Sequence, residues 1–165
     1  MDNKTKIQVQ NSYESYYKDL YRYAFSLLGN KEDAEDSVQE IFKKLVETIE
    51  SYRYECSLKT WLFTLIRNNC YDRLKRKKIF TSESEISINS GVFNTSSGIE
   101  IKLTFQEALK ILTTEQNELI FLKDFAGYSY KEISEITGNS LDNVKIKLFR
   151  TREKLKKFIR ESEEP

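Results

Sequence analysis

The feature that most restricts the fold of this chain is the period of its apolar residues, which follows a helix in almost every segment. In the range 13–28 apolar side chains recur at spacings of three and four, as they do in a helix that buries one stripe. The ranges 34–49 and 58–66 repeat this spacing. The chain has a single proline in 165 residues, so little interrupts these helices. The sequence therefore predicts an all-α protein.

Residues with capping chemistry mark the ends of the helices in the first half. Gly29 is expected just past the first helix, which we predict to begin at Tyr13. Asn30 is expected to cap the second helix and Ser57 the third. Trp61 lies on the apolar stripe of the third helix, which favours packing in the core over stacking on a base.

A polar segment divides the chain into two halves. Residues 80–98 are rich in serine and asparagine, and their brief apolar alternation is too short to build a sheet. We interpret residues 79–98 as a flexible linker that does not fix the spacing of the domains on its two sides. The sequence thus predicts two small helical domains, residues 1–78 and residues 99–165.

The second domain ends in a pattern typical of a helix-turn-helix. We predict a helix over residues 101–112 and a following helix that is capped by Thr114. Ser129 and Glu132 have the spacing of a capping box at the start of a short helix. After a turn that contains Gly138, the last helix is basic on its outer face. Its predicted inner stripe is Leu141, Val144, Leu148 and Leu155.

Charge is segregated along the chain although the formal net charge is only +1. Six basic residues and one acidic residue lie in the range 67–78, and eight basic residues and one acidic residue lie in the range 145–160. Acidic residues concentrate instead in the range 32–50. Two basic surfaces of this kind indicate contact with an acidic partner such as nucleic acid.

The composition disfavours several functional classes. The chain has no histidine, which removes the commonest general base and the usual nucleophile–histidine pairs. Cys56 and Cys70 lack partners at metal-ligand spacing and are expected to be free thiols. No apolar window has bilayer length, and the N-terminus lacks the apolar core of a secretion signal. We therefore expect a cytoplasmic protein and treat catalysis as the less favoured role.

Three segments resemble, in their order and spacing, the extracytoplasmic-function group of sigma-70 RNA polymerase sigma factors. Residues 33–42, DAEDSVQEIF, are similar to the segment that docks on the clamp helices of the polymerase. Residues 57–78 resemble the helix that melts and reads the minus-ten element, and residues 128–155 resemble the helix-turn-helix that reads the minus-thirty-five element. The resemblance implies an alternative sigma factor that directs core RNA polymerase to promoter DNA, with its second domain on the polymerase flap. It also implies an anti-sigma factor as a partner, often membrane-bound. As a non-catalytic subunit, such a protein is expected to have no catalytic residue, metal, cofactor or small-molecule substrate.

The resemblance assigns candidate binding residues to three surfaces. The candidates for polymerase binding are Asp36, Gln39, Glu40 and Lys43. The candidates for the minus-ten element are Cys56, Ser57, Arg67, Asn68, Asn69, Arg73, Arg76 and Lys77. The candidates for the minus-thirty-five element are Asn143, Lys145, Ile146, Lys147, Phe149, Arg150 and Arg152. Of these, Asn68 is expected to help hold a base flipped from the opened strand, and Arg150 is expected to pair with guanine or a phosphate.

The last helix departs from the family pattern where base specificity is set. Ile146 and Lys147 stand where a serine and an arginine are common, and Asp142 and Asn143 stand where a glycine and a threonine are common. The preferred base sequence therefore does not follow from the resemblance.

Two other functions stay open on the residues alone. A helix-turn-helix regulator would bind an operator without polymerase and use its first half for dimerisation or sensing. A nuclease would need clustered carboxylates for a metal, whereas the acids of residues 32–50 lie on a helix that resembles a docking surface. A regulator is expected to protect DNA by itself, whereas a sigma factor is expected to need core polymerase.

Overall fold

The structure is a computed structural model that describes the backbone of residues 1–80 and 107–164 and the side chains of residues 1–78 and 107–164. Every regular element that it describes is helical, which confirms the predicted all-α class. Most of the predicted linker, 79–98, and the first part of the predicted helix 101–112 lie outside the described residues. Within the described ranges, no helix is both long enough and apolar enough to span a membrane.

Three α-helices are described in the first half of the chain. They are α1 (Asn3–Leu28), α2 (Lys31–Thr48) and α3 (Leu58–Phe80). Helix α1 begins at Asn3 rather than at the predicted Tyr13. The earlier start is explained by an N-cap at Asp2, whose carboxylate accepts a hydrogen bond from the amide of Thr5 at 2.7 Å. The apolar pattern did not indicate this cap.

The turns between these helices follow the predicted caps. Gly29 ends α1 in the left-handed conformation, with a φ of 65° that a residue with a side chain rarely adopts. Asn30 caps α2 by accepting from an amide of its first turn at 3.0 Å. A short 3₁₀ turn, Ile49–Ser51, follows α2. Ser57 accepts from an amide in the first turn of α3 at 3.1 Å, as predicted.

Helices α1, α2 and α3 share an apolar core to which each contributes one buried stripe. Buried members of these stripes include Leu20, Ala24, Leu27, Val38, Ile41, Leu45, Leu62, Ile66 and Cys70. Cys70 is a free thiol, and burial raises the pKa of this thiol to about 12. Because the thiol stays protonated at neutral pH, Cys70 acts as a small apolar residue of the core.

The second half contains short helices followed by one long helix. Residues 107–110 are helical, and α4 (Thr114–Ile120), a π turn (Phe121–Phe125), α5 (Tyr130–Thr137) and α6 (Leu141–Glu163) follow. Two predictions for this half are wrong. Thr113 rather than Thr114 caps α4, because Thr113 and Gln116 form a capping box. Leu141 lies exposed at the start of α6, and Thr151 instead lies on the buried side.

Helices α5 and α6 form the predicted helix-turn-helix. Ser129 and Glu132 make the predicted capping box of α5, and Gly138 ends this helix with a φ of 74°. Ser140 caps α6. The side of α6 that carries the buried Leu148 packs against α4 and α5, so its opposite face points away from the protein.

The two halves of the chain pack against each other, which the sequence analysis did not predict. Helix α3 contacts α5, and α1 contacts α4. The buried ring of Phe63 on α3 lies 5.0 Å from the ring of Tyr128, and the ring of Tyr23 on α1 lies 5.9 Å from that of Phe121. Phe63 was not on the predicted stripe of α3 because it is buried against the other half.

Candidate polymerase and nucleic-acid interfaces

The basic residues of α3 differ in whether an acidic side chain holds them. Arg73 binds Glu40, with 2.6 Å between Nη2 and Oε1, and Lys77 forms an ion pair with Asp33. Arg76 is exposed and has no ion pair within the described ranges. Of the predicted DNA contacts on this helix, Arg76 is therefore available to a phosphate without displacing an acid of this chain.

The two adjacent asparagines of α3 have different surroundings. Asn69 donates a hydrogen bond to Glu40 at 2.5 Å and accepts one from Arg73 Nε at 3.1 Å. Asn68 is exposed, and its amide has no hydrogen bond to any residue that the structure describes. An asparagine in the interior of a helix lowers helix stability relative to most residues. Asn68 has both a donor and an acceptor free for a base edge.

The loop before α3 contains a residue in a strained conformation. Tyr54 is exposed and has a φ of 58°, in a region that non-glycine residues rarely occupy. The hydroxyl of Tyr52 donates to the carbonyl of Cys56 and so closes this loop. A cleft of about 350 Å³ lies beside the loop and is lined in part by Cys56 and Trp61. Asn68 is not among the residues that line this cleft.

Cys56 and Ser57, both predicted near the minus-ten base, are partly engaged by their own surroundings. Ser57 caps α3 and donates its hydroxyl hydrogen to Thr60 Oγ1 at 2.9 Å. Burial raises the pKa of the Cys56 thiol, and the nearby carboxylates of Glu135 and Glu55 raise it further. Glu135 belongs to α5. The loop that carries Cys56 therefore lies close to the helix-turn-helix of the second half.

A buried carboxylate at the interface between the halves was not anticipated from the sequence. Glu118 of α4 is 0% exposed. Its oxygens accept from the hydroxyl of Tyr23 at 2.5 Å, from Arg67 Nε at 2.7 Å and from the hydroxyl of Tyr71 at 2.6 Å. All three donors belong to the first half of the chain. The carboxylate tolerates its burial because charge-assisted hydrogen bonds replace its water. We call these four residues the Glu118 cluster.

Within the Glu118 cluster the three donor side chains stay protonated and can donate hydrogen bonds to the carboxylate. Burial and the adjacent carboxylate raise the pKa of Tyr23 and of Tyr71, so both phenols remain protonated and able to donate. Burial acts to lower the pKa of Arg67, but the Glu118 carboxylate produces a net rise. Arg67 was predicted to contact the minus-ten DNA. In this structure it instead links the two halves.

The four candidates for polymerase binding lie on one side of α2. Asp36, Gln39 and Lys43 are exposed and make no hydrogen bond within the part of the chain that the structure describes. Glu40 is also exposed, but its two oxygens bind the side chains of Asn69 and Arg73 described above. Glu40 therefore links α2 to α3, and the other three residues form a free polar surface.

The outward face of α6 carries most of the candidates for duplex reading. The exposed candidates are Asn143, Lys145, Ile146, Phe149 and Arg150. Two other predicted phosphate contacts have acidic partners in this structure. Lys147 binds Glu115 of α4 at 2.7 Å, and Arg152 binds Asp124 at 2.5 Å. Arg150 has no ion pair among the described residues and is therefore free to approach DNA.

The acidic partners in these networks were missed by the sequence analysis, and one of them left a signal. Glu118 stands four residues before the buried Leu122, so a helical wheel places a carboxylate on an apolar face. Such a residue needs donors from elsewhere in the chain. Asp33 and Glu40 likewise form ion pairs with cations of α3. Within the described ranges, no group of three or more histidine, cysteine, aspartate or glutamate residues is suited to a metal ion.

Comparisons with known proteins decide the family. Residues 12–79 match the model of Sigma-70 region 2, and residues 102–155 match that of Sigma-70, region 4. The RNA polymerase sigma factor YlaC of Bacillus subtilis is 32% identical over 170 residues, which cover 98% of this chain and 97% of the relative. The chain belongs to the sigma-70 family. This membership replaces the operator-binding and nuclease alternatives.

Two further similarities refine this assignment. The ECF RNA polymerase sigma factor SigM of Bacillus subtilis is 32% identical over 90% of this chain and 93% of the relative. The co-crystal structure of the sigma factor RpoE with the anti-sigma factor NepR from Bartonella quintana has a TM-score of 0.74 and 26% identity. The match covers 92% of this chain and 96% of RpoE. The protein is an alternative sigma factor of the extracytoplasmic-function group, which directs promoter-specific initiation of transcription.

Proposed function

We propose that this sigma factor binds core RNA polymerase and reads promoter DNA in two states, one with each half of the chain. Residues 1–78 engage the minus-ten element after it has opened, and residues 99–165 read duplex DNA at the minus-thirty-five element. The observation that carries this division is the exposed and unpaired amide of Asn68 on α3. An amide of this kind suits the edge of an unstacked base, whereas a helix such as α6 fits a major groove.

Around Asn68, the network between α2 and α3 supports base capture by fixing neighbouring side chains. Glu40 binds the side chains of Asn69 and Arg73, so these two residues help to fix the position of α3. Asn68 is then the residue that contacts the base. Arg76, about two helical turns beyond Asn68, is free for a phosphate of the opened strand. The base is recognised only after melting, because its edge is paired in the duplex.

Binding to core polymerase is assigned to the free polar surface of α2. Asp36, Gln39 and Lys43 share this surface without partners in the described ranges. Charged and amide groups of this kind favour a complementary charged partner and add specificity to its docking. We assign the polymerase clamp helices to this surface and the polymerase flap to the second half.

The arrangement of the two halves has to change before Arg67 can contact DNA. Its guanidinium is held by Glu118, which belongs to the other half. In the proposed cycle core polymerase separates the halves and sets their spacing to that of the two promoter elements. An anti-sigma factor would keep the protein away from polymerase. The similarity over both halves to a sigma factor that was solved in complex with an anti-sigma factor supports this role.

The proposed role contains no covalent step performed by this chain. The polymerase carries out RNA synthesis, and the sigma factor needs no cofactor, metal or small-molecule substrate for its own part. It acts where core polymerase and the chromosome are, in the cytoplasm.

The polymerase surface is tested with two double variants of matched composition. Asp36→Ala with Gln39→Ala is expected to weaken binding to core polymerase, since it removes the acid and the amide of the proposed surface. The control is Glu14→Ala with Gln10→Ala, which removes an exposed acid and amide from α1. Affinity is measured by fluorescence anisotropy of labelled sigma factor titrated with core polymerase. Equal affinities of the two double variants would show that polymerase docks elsewhere.

A further inference from the structure

The outward face of α6 is apolar at the position that would reach deepest into a DNA groove. Val144, Leu148 and Thr151 lie on the buried side of the helix. At about 100° per residue, Ile146 lies roughly 170° around the helix axis from the mean direction of the buried residues. Its side chain is 47% exposed, and the neighbouring Phe149 is 67% exposed.

The two lysines next to Ile146 in the sequence, Lys145 and Lys147, are drawn toward the flanks of α6. Lys147 turns to Glu115 and Asn139 of the same half, and the ammonium of Lys145 lies 5.7 Å from the ring centroid of Tyr130. Ile146 therefore stands at the centre of the face with neither of these lysines across it, and Arg150, a cation of this face without an ion pair among the described residues, lies one helical turn further on. The exposed apolar surface of Ile146 would be removed from water if a partner of α6 covered this face, which is favourable.

Chemistry limits what Ile146 can recognise in a major groove. Its side chain neither donates nor accepts hydrogen bonds, so it cannot read the polar atoms that distinguish most base pairs. The apolar group that the major groove offers is the C5 methyl of thymine. A polar base edge opposite Ile146 would lose its water without gaining a partner, which penalises cytosine, guanine and adenine at that position.

We propose that Ile146 is a specificity-determining residue that selects a thymine in the upstream promoter element through the C5 methyl of that base. This inference rests on the proposed function, because it requires that α6 read the duplex at the minus-thirty-five element. The effect is local to one or two base positions. It is also independent of the phosphate contacts that hold α6 in the groove.

The first test is a selection. Holoenzyme assembled from core polymerase and this sigma factor selects upstream elements from random duplex sequence, once with the parent and once with Ile146→Ser. The parent is expected to enrich thymine at one or two positions that Ile146→Ser leaves less constrained, while the remaining positions keep their preferences. The proposal is overturned if the parent enriches no thymine, or if every thymine that it enriches is enriched equally with Ile146→Ser.

The second test removes the methyl without changing base pairing. Each thymine of the selected element is replaced in turn by uracil, and holoenzyme affinity is measured. At the position read by Ile146 the parent is expected to lose about fourfold in affinity, the value of roughly one buried methyl group, whereas Ile146→Ser is expected to lose nothing further. When cytosine is placed at that position, its replacement by 5-methylcytosine is expected to restore part of the binding by the parent.

Controls separate this inference from the function on which it rests. Ile7→Ser removes a comparably exposed apolar residue from α1 and is expected to leave the uracil scan of the parent unchanged. If holoenzyme binds the upstream element specifically but no single uracil lowers its affinity, the methyl contact is wrong and the proposed function stands. The same holds if uracil lowers the affinity of the parent and of Ile146→Ser equally. If the parent holoenzyme shows no sequence preference in the upstream duplex, the proposed function fails and the inference fails with it.

Discussion

At the scale of single residues, Glu118 joins two parts of the chain that the sequence analysis treated as separate. Its carboxylate is fully buried and receives hydrogen bonds from α1 and α3. A buried charge is stable only while its donors stay in place, and removing one partner of such a pair is strongly destabilising. The Glu118 cluster therefore makes the closed arrangement depend on a small number of polar groups.

Replacing Glu118 by alanine is expected to favour separation of the two halves. Breaking a buried pair costs about 3–5 kcal/mol, and the lower end applies here because Arg67 regains water when the halves part. The parent is expected to have a radius of gyration near 15 Å, the value for a compact chain of this length. Small-angle X-ray scattering of Glu118→Ala is expected to give a clearly larger radius, with unchanged helicity by circular dichroism.

The control is Glu163→Gln, which changes an exposed acid of α6. If Glu118→Ala is as compact as the parent and the control, the cluster does not hold the halves together.

At the scale of helices, acidic residues hold α6 in position against the rest of its half. Glu115 of α4 binds Lys147, and Asp124 in the π turn binds Arg152. The hydrogen bond from Lys147 lowers the pKa of Glu115, partly opposed by burial, and the charge of Lys147 lowers it further. These contacts fix the orientation of α6 while its outward face stays free.

The lowered pKa of Glu115 predicts a dependence of stability on pH. A carboxyl group whose pKa is lower in the folded state stabilises the fold above its unfolded value, here near 4.5, and this contribution is lost as pH falls through the folded value. Glu115→Gln is expected to lower the free energy of unfolding at pH 7 by roughly 0.5 kcal/mol, as for other partly exposed pairs. Urea unfolding of both proteins is expected to show this difference at pH 7 and to show it shrink as the pH falls below the unfolded value of about 4.5. A difference that persists unchanged at the lower pH would show that the charge of Glu115 is not responsible.

How far the sequence predicts these elements depends on the range of the interaction involved. Helix stripes and the caps by Asn30, Ser129 and Glu132 follow from neighbours in sequence, so they were predictable. The N-terminal extension of α1 was missed because its residues are mostly exposed and lack a strong stripe, although Asp2 caps it. The shift of a cap from Thr114 to Thr113 is a choice between two adjacent residues of the same type, which spacing alone does not resolve.

The candidate site was only partly predictable for the same reason. The exposure of Asn68 and Arg150 follows from the helical period, because both lie away from a buried stripe. The pairing of Arg67 with Glu118 joins residues that are distant in sequence and lie on different halves. No local pattern predicts such a contact. Phe63 was missed in the same way, since its burial depends on the second half of the chain.

At the scale of the whole molecule, this sigma factor consists of two helical halves that are closed over the Glu118 cluster while its two candidate DNA-binding surfaces remain free. One free surface is centred on Asn68, and the other is the outward face of α6 with Arg150. Because each surface suits a different state of DNA, a variant in either half is expected to impair a different step of initiation. This separation is the central claim of the proposed function.

The most direct test of that claim is single-round transcription by core polymerase with Asn68→Ala or Arg150→Ala, on a duplex promoter and on the same promoter with a pre-melted bubble. Asn68→Ala is expected to spare closed-complex formation, to impair opening on the duplex and to recover at least partly on the bubble, because its base is unstacked only after melting. Arg150→Ala is expected to weaken upstream duplex binding by about 1–3 kcal/mol and to recover much less. The control Asn11→Ala, an exposed asparagine of α1, is expected to behave as the parent on both templates. Equal recovery of Asn68→Ala and Arg150→Ala on the bubble would contradict the assignment of one half to opened DNA and the other to duplex.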